Sequence, residues 1–322
     1  MNTSAFHSAL AEPLDQFVQY KRALNRKYHT EAAALRLLDR YLYGHAVSGW
    51  EAIDRALINQ FLKSRPRTRP RSYNHLVGVL RRFFAWAVLR RLVELNPVTA
   101  PLRRDTGQRI SYLFDLCDAK RLLHLARSLP DNPRASQRGL IYETAFALLY
   151  GLGLRVGEVG RLRLKDADLA DRTLFIRETK FSKSRIVPMG PRLAERLRCY
   201  VERRYGSAPD PELPLFSFAP PRSLSGSTIT QTFHKLIPRL ELDIPAGISP
   251  PRLHDLRRSF AVRTLLRWYR EGIDPNARLM HLATFLGHVD PTSTAVYLPI
   301  TEELLREADQ RFRSLAPGGG GQ

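Results

Sequence analysis

Arg155, Lys180, His254, Arg257, His288 and Tyr297 stand in that order between positions 155 and 297 of a 322-residue chain. They supply two guanidiniums, an ammonium, two imidazoles and a phenol, the parts needed to break a phosphodiester without a metal. Cations neutralise a phosphate and its transition state, an ammonium or imidazole moves protons, and a phenol can attack. Single members carry little weight. Nine histidines and 51 Lys+Arg in 322 positions give about 1.4 His-x-x-Lys/Arg pairs by chance. Two occur, His254/Arg257 and His124/Arg127.

Context separates them. Gly151-Leu-Gly-Leu-Arg155-Val-Gly-Glu158 places an arginine after an apolar helix and a glycine-permitted turn. Glu158, one helical turn on, can hydrogen-bond that guanidinium and orient it. The chain continues with Thr179-Lys180-Phe-Ser-Lys183-Ser-Arg185, then His254-Asp-Leu-Arg257, then Leu286-Gly-His288 and nine residues later Tyr297.

The positioning elements read as mainly helical with a small β-sheet, an α+β chain. In residues 1–95, Leu14, Phe17 and Val18 mark a first helix, and Thr30 can cap a second that carries Leu35, Leu38 and Leu42. Ser48-Gly-Trp-Glu51 has the form of a capping box before a third helix, and a fourth begins near Ser72. Between these two, Lys63, Arg65, Arg67, Arg69 and Arg71 recur at every second residue around prolines. That spacing suits an extended segment tracking a phosphate backbone, although a solvated loop has the same composition.

Residues 96–112, with Pro97, Pro101 and Gly107, read as a linker, and 113–315 as a second domain. Helical pattern covers 115–128, 138–150, 191–205, 228–240 and 254–269. Leu174–Thr179 and Arg185–Met189 alternate like two strands around a turn at Ser182. Residues 316–322 read as a flexible tail.

A length of 322 residues suits two domains, and 43% hydrophobic with 25% charged residues is an ordinary globular balance. The excess of 51 Lys+Arg over 31 Asp+Glu gives a net charge of +20 and points to a polyanionic partner. Cys117 and Cys199 lack any paired spacing, which argues against disulfide or zinc frameworks. No signal peptide and no spanning segment is read, so the expected location is cytoplasmic and nucleoid-associated.

The ordered series from Arg155 to Tyr297, with its glycines and apolar neighbours, resembles the tyrosine recombinases, or phage-type integrases, over about Leu113 to Phe312. The resemblance implies a helical core-binding domain and a mixed catalytic domain closing as a C-shaped clamp on duplex DNA. It implies that Arg155 and Arg257 bracket the scissile phosphate and that Lys180 is the general acid, with Lys183 as the alternative. His254 would hydrogen-bond the phosphate or take the tyrosine proton, His288 would hold the phosphate from the other side, and Tyr297 would form a 3′-phosphotyrosyl link. Strand exchange would pass through a Holliday junction without cofactor or metal. The assembly would be a homotetramer on a specific DNA site, with or without a second recombinase. A helix from Pro299, with Leu304, Leu305, Ala308, Phe312 and Leu315 on one stripe, would dock on a neighbouring protomer or on its own chain. The stretch from Trp268 to Met280 exceeds the compact family pattern and reads as an insertion, of a kind that suits mobile-element members. A type IB topoisomerase, a telomere resolvase, an accessory DNA-binding protein and an RNA-binding protein remain as alternatives.

Overall fold

The computed structural model describes residues 6–104, 110–177 and 184–288, which fall into two compact units divided after residue 108. Nothing among the described residues is a helix long and apolar enough to cross a membrane.

The first unit is built from α1 (Ala11–Ala23), α2 (His29–Gly44), α3 (Arg55–Ser64) and α4 (Pro70–Leu89). Each presents one apolar stripe, and the stripes meet in a core around Phe17, Leu38, Phe61, Leu80 and Phe83. Phe17 meets Phe83 edge-on at 5.5 Å, a geometry that adds attraction beyond burial. Asp39, 1% exposed, is satisfied by backbone N–H groups of His7 and Ser8 at 2.9–3.0 Å.

Three local expectations are corrected here. Thr30 does not cap α2, which starts at His29 behind Tyr28 in a left-handed conformation. Ser48–Glu51 is no capping box, because Trp50–Ala52 forms a separate 3-10 turn. Asp54 caps α3 instead, its carboxylate accepting from Leu57 N at 2.7 Å. The basic stretch is only partly extended: Lys63 lies in the last turn of α3 and Arg71 in the first turn of α4. Pro70 opens that helix because a first-turn proline lacks only an N–H that would be orphaned anyway.

Residues expected as linker partly belong to the units. Val98 and Ala100 are buried in the first core, fixed by Asn96 Nδ2 donating to Arg81 O and Arg81 donating to Ala100 O. At the other end, β1 (Ile110–Ser111) joins the second unit.

That unit continues with α5 (Leu116–Arg127), α6 (Arg138–Gly151), α7 (Val156–Val159), β2 (Ala167–Asp168), β3 (Thr173–Ile176), β4 (Arg185–Pro188), α8 (Pro191–Tyr205), α9 (Gly226–Leu236), β5 (Ile248–Ser249), α10 (Leu253–Arg270) and α11 (Pro275–Leu286). Helix α6 is apolar nearly all round and buried accordingly, packed among α5, α8 and α10. Strands β2, β3 and β4 form an antiparallel sheet, with Leu174 opposite Val187. Both of those residues are buried, while Phe175 and Ile186, on the other face, are exposed. The turn expected at Ser182 lies outside the described residues. Strands β1 and β5 pair in parallel, Ile110 with Ile248.

Helix α11 was not read from sequence. Most of the stretch expected as an insertion is regular: α10 runs to Arg270, Gly272 turns the chain at φ +74°, and Asp274 caps α11 by accepting from Asn276 N. Leu282 and Leu286 then bury against Val262, Leu265 and Trp268 of α10.

Candidate active site

Arg155 sits where the chain leaves α6 and enters α7. Gly153 makes the turn at φ +60°, and a Cβ there would stand 2.7 Å from Phe260 Cδ1, so only glycine fits. Arg155 occupies the N-cap of α7. The Glu158 carboxylate reaches back to Arg155 N at 2.9 Å and takes Arg155 Nη1 at 2.9 Å. An arginine side chain has nothing to accept with, so this is the reach-back half of a capping box.

Arg257 lies in the second turn of α10, three residues after His254. The Asp255 carboxylate, buried, accepts from Arg252 N and starts the helix. Burial pushes the Asp255 carboxyl up, against the Arg252 backbone bond and nearby cations.

Helix α11 ends by placing His288. Gly287 adopts φ +67°, Gly287 N donates to Thr284 O at 2.9 Å, and His288 N donates to Ala283 O at 2.8 Å. This is a Schellman motif with glycine in the left-handed position. It leaves the last carbonyls of α11 directed at the arginines. Leu286 O accepts from Arg257 Nη2 at 2.6 Å and Arg155 Nη1 at 3.3 Å. Gly287 O accepts from Arg155 Nη2 at 2.9 Å, and Gly153 O accepts from Arg257 Nη1 at 2.6 Å. Cations on the negative end of a helix are favourable, and these bonds satisfy carbonyls that the helix cannot.

A third guanidinium, not among the residues chosen from sequence, completes the cluster. Arg185 grips both carboxylate oxygens of Glu158, at 3.1 and 3.0 Å, and donates through Nε to Phe285 O at 2.7 Å. Its side chain is 9% exposed and that of Glu158 1%, against 28% for Arg155. Burial pushes the Glu158 carboxyl up, but the bonds and charges of Arg185 and Arg155 outweigh it and hold the group below its ordinary value. A sequence signal existed: Arg185 shares strand parity with buried Val187, so its cation points to the apolar side.

The structure therefore brings Arg155, Glu158, His254, Arg257 and His288 together. Arg257 is 1% exposed, so Arg155 is the guanidinium more open to a ligand. Lys180, Lys183 and Tyr297 lie outside the described residues, as does the helix expected from Pro299. In the first unit, Lys63, Arg69 and Arg71 are exposed and Arg65 and Arg67 half-buried, with Arg67 Nη1 donating to Ser72 Oγ at 2.7 Å. Among the described residues, no three His, Cys, Asp or Glu converge as metal ligands.

The cluster tunes its imidazoles. Desolvation, then the charges of Arg257, Arg258, Arg155 and Arg252, pull His254 down to about 4. His254 nevertheless keeps part of its surface exposed. Desolvation, then Arg257, Arg155, His254 and Arg185, pull half-buried His288 to about 4 as well. Both rings are neutral at pH 7 and can accept a proton or a hydrogen bond. The unfolded chain binds these protons near 6.5 and the folded chain near 4. The stability involved is complete above 6.5 and is lost as pH falls from there toward 4. In an NMR titration of the free protein, neither imidazole should titrate between pH 8 and 5.5; ordinary midpoints at 6.5 for both rings would contradict this electrostatic picture.

Such a site, cationic and lined with neutral imidazoles, can hold a tetrahedral oxyanion while protons move around it. A model described as the phage integrase family matches residues 104–303. Putative integrase/recombinase y4rE of Sinorhizobium fredii is 30% identical over 318 residues, 96% of this chain and 97% of that protein. Putative integrase/recombinase y4rB of the same organism is 39% identical over 204 residues; the match spans 62% of this chain and 65% of that relative, just under two thirds of its length. The fold is similar to that of the Tn1549 transposon integrase solved with a circular intermediate DNA, with a TM-score of 0.65, 17% identity, and coverage of 95% of this chain and 100% of that one.

Proposed function

The chain belongs to the phage integrase family, and on that footing we propose that it is a site-specific tyrosine recombinase, cutting and rejoining DNA through a covalent protein–DNA intermediate. The observation that carries this reading is the convergence of Arg155, Arg257, His254 and His288 on the glycine turn that ends α11.

In the proposed reaction, the Tyr297 phenol attacks phosphorus, giving a 3′-phosphotyrosyl ester and releasing a 5′-hydroxyl. Lys180, or Lys183 in its place, protonates the departing 5′-oxygen. Arg155 meets a non-bridging oxygen with its forked donors, while Arg257 supplies charge from the buried side of the site. A neutral His254 can take the phenol proton, and His288 donates a hydrogen bond to the phosphate. A 5′-hydroxyl from the partner duplex then attacks the ester and frees Tyr297. Bond energy is kept in the tyrosyl ester, so each exchange is close to isoenergetic. Phosphate esters need roughly 20 kcal/mol of barrier reduction, and fixed cations are an adequate source.

Two exchanges through a Holliday junction call for four protomers on two DNA sites. The exposed Lys63, Arg69 and Arg71 of the first unit would contact the phosphate backbone. Likeness to a transposon integrase and to integrase/recombinase relatives favours a mobile element as the DNA acted upon.

The test is to offer the protein a pool of nicked duplexes from its source genome and sequence the strands that resist denaturing removal. One recurring motif with fixed cleavage positions is expected. Absence of any covalent DNA would defeat the proposal, and adducts at unrelated sequences would point to a topoisomerase.

A further inference from the structure

Arg185 spends its charge inside the protein. It is the first residue of β4, and its side chain is 9% exposed in a chain whose excess of cations otherwise suits DNA. Its three donating nitrogens are all engaged: two on the Glu158 carboxylate and Nε on Phe285 O. The carbonyls of Phe285, Leu286 and Gly287 are thus taken in succession, by Arg185, by Arg155 with Arg257, and by Arg155. Arg155 and Arg185 also share one carboxylate.

The fit leaves no slack. A Cβ on Gly287 would stand 2.7 Å from Arg185 Nη1 and 3.0 Å from its central carbon, so the turn that presents His288 is moulded against this guanidinium. A planar fork can span two carboxylate oxygens and a carbonyl at once, and an ammonium cannot.

We propose that Arg185 is a positioning residue for strand cleavage: by tying Glu158 to the end of α11, it fixes Arg155 and His288 relative to each other. A rival account makes it a strand-to-helix ion pair that only stabilises the fold. The two differ in what should move when the fork is lost and the fold survives. Positioning acts on His288, which faces Arg185, and spares His254, whose neighbouring cations are Arg257, Arg258, Arg155 and Arg252. The catalytic half of this inference rests on the recombinase reading; the geometric half does not.

The experiment uses the full chain with Arg185→Lys and Arg185→Gln. Imidazole NMR without DNA is recorded first, then DNA affinity and single-turnover adduct formation on a nicked duplex. Arg185→Lys should fold, bind DNA within about threefold of the parent, and form adduct about a hundredfold more slowly, the scale of a small misplacement of reacting groups. Its His288 ring resonance should shift while that of His254 stays. In Arg185→Gln the His288 midpoint should rise, because a cation beside it is gone, with His254 moving less. If Arg185→Gln does not fold, Arg185→Lys decides alone. Two unchanged rings, two rings that move equally, or adduct formation at the parental rate in Arg185→Lys would overturn the inference. Should the parent form no adduct on any DNA, the recombinase reading falls, and the NMR comparison still decides whether Arg185 positions His288.

Discussion

Tyr297→Phe is expected to eliminate the covalent protein–DNA adduct while leaving DNA affinity within about twofold. Phenylalanine keeps the aromatic ring but has no oxygen to form the ester, so the chemical step has no substitute. Loss of a nucleophile typically costs on the order of 10³-fold or more. On the recombinase reading, binding rests instead on phosphate contacts spread over many cations, and one neutral phenol adds little to that sum. The readout is adduct yield on a nicked duplex, beside a mobility-shift titration at the same salt. Equal adduct yields from variant and parent would reject Tyr297 as nucleophile. The same duplex separates Lys180 from Lys183. A 5′-thiol leaving group needs no proton, so it should restore cleavage to the alanine variant of whichever lysine is the acid.

Glu158→Ala is expected to destabilise the second unit by about 3–5 kcal/mol, the range for removing one partner of a buried ion pair. Glu158 accepts four bonds, one from Arg155 N, one from the Arg155 guanidinium and two from Arg185. Without it, Arg185 is left as an enclosed cation facing Arg155 with no counter-charge. For a unit of this size the melting temperature should fall by about 10 °C. Glu158→Gln keeps the shape and some of the bonds, and should cost less. The pH dependence has a fixed sign. The Glu158 carboxyl is held below its ordinary 4.5 in the folded chain. Its contribution is present above 4.5 and is lost as pH falls through the lower folded value. Melting curves of parent and variant should therefore converge in acid. An alanine variant that melts with the parent at pH 7 would show that the carboxylate supports no buried charge.

Much of the fold was legible because it is periodic. Helix α10, expected over 254–269, spans Leu253–Arg270, and β4, expected over 185–189, spans Arg185–Pro188. Apolar spacing survives in the chain whatever it packs against. Boundaries were less legible where several capping residues compete: Asp54 rather than the Ser48 box starts α3, and Pro70 rather than Ser72 opens α4. Helix α11 was hidden because Trp268 to Met280 read as an insertion, although Asp274-Pro275 is a start signal and Leu286-Gly287 a stop signal. The pairing of Ile110 with Ile248 had no local trace, since two-residue strands have no period to detect.

The sequence by itself determined the chemistry available: which charged, imidazole and phenolic groups exist, their order, and the glycines at 153 and 287 that only a left-handed turn would demand. Tertiary structure alone decided how the groups are shared. It sets Arg155 against carbonyls 131 and 132 residues away and Arg257 against one 104 residues away. It also turns Arg185 inward onto Glu158, a carboxylate that two arginines then hold in common. The reason is physical. Side-chain type and helical period are properties of neighbours along the chain, whereas a hydrogen bond depends on distance and angle in space, which only the packed core fixes.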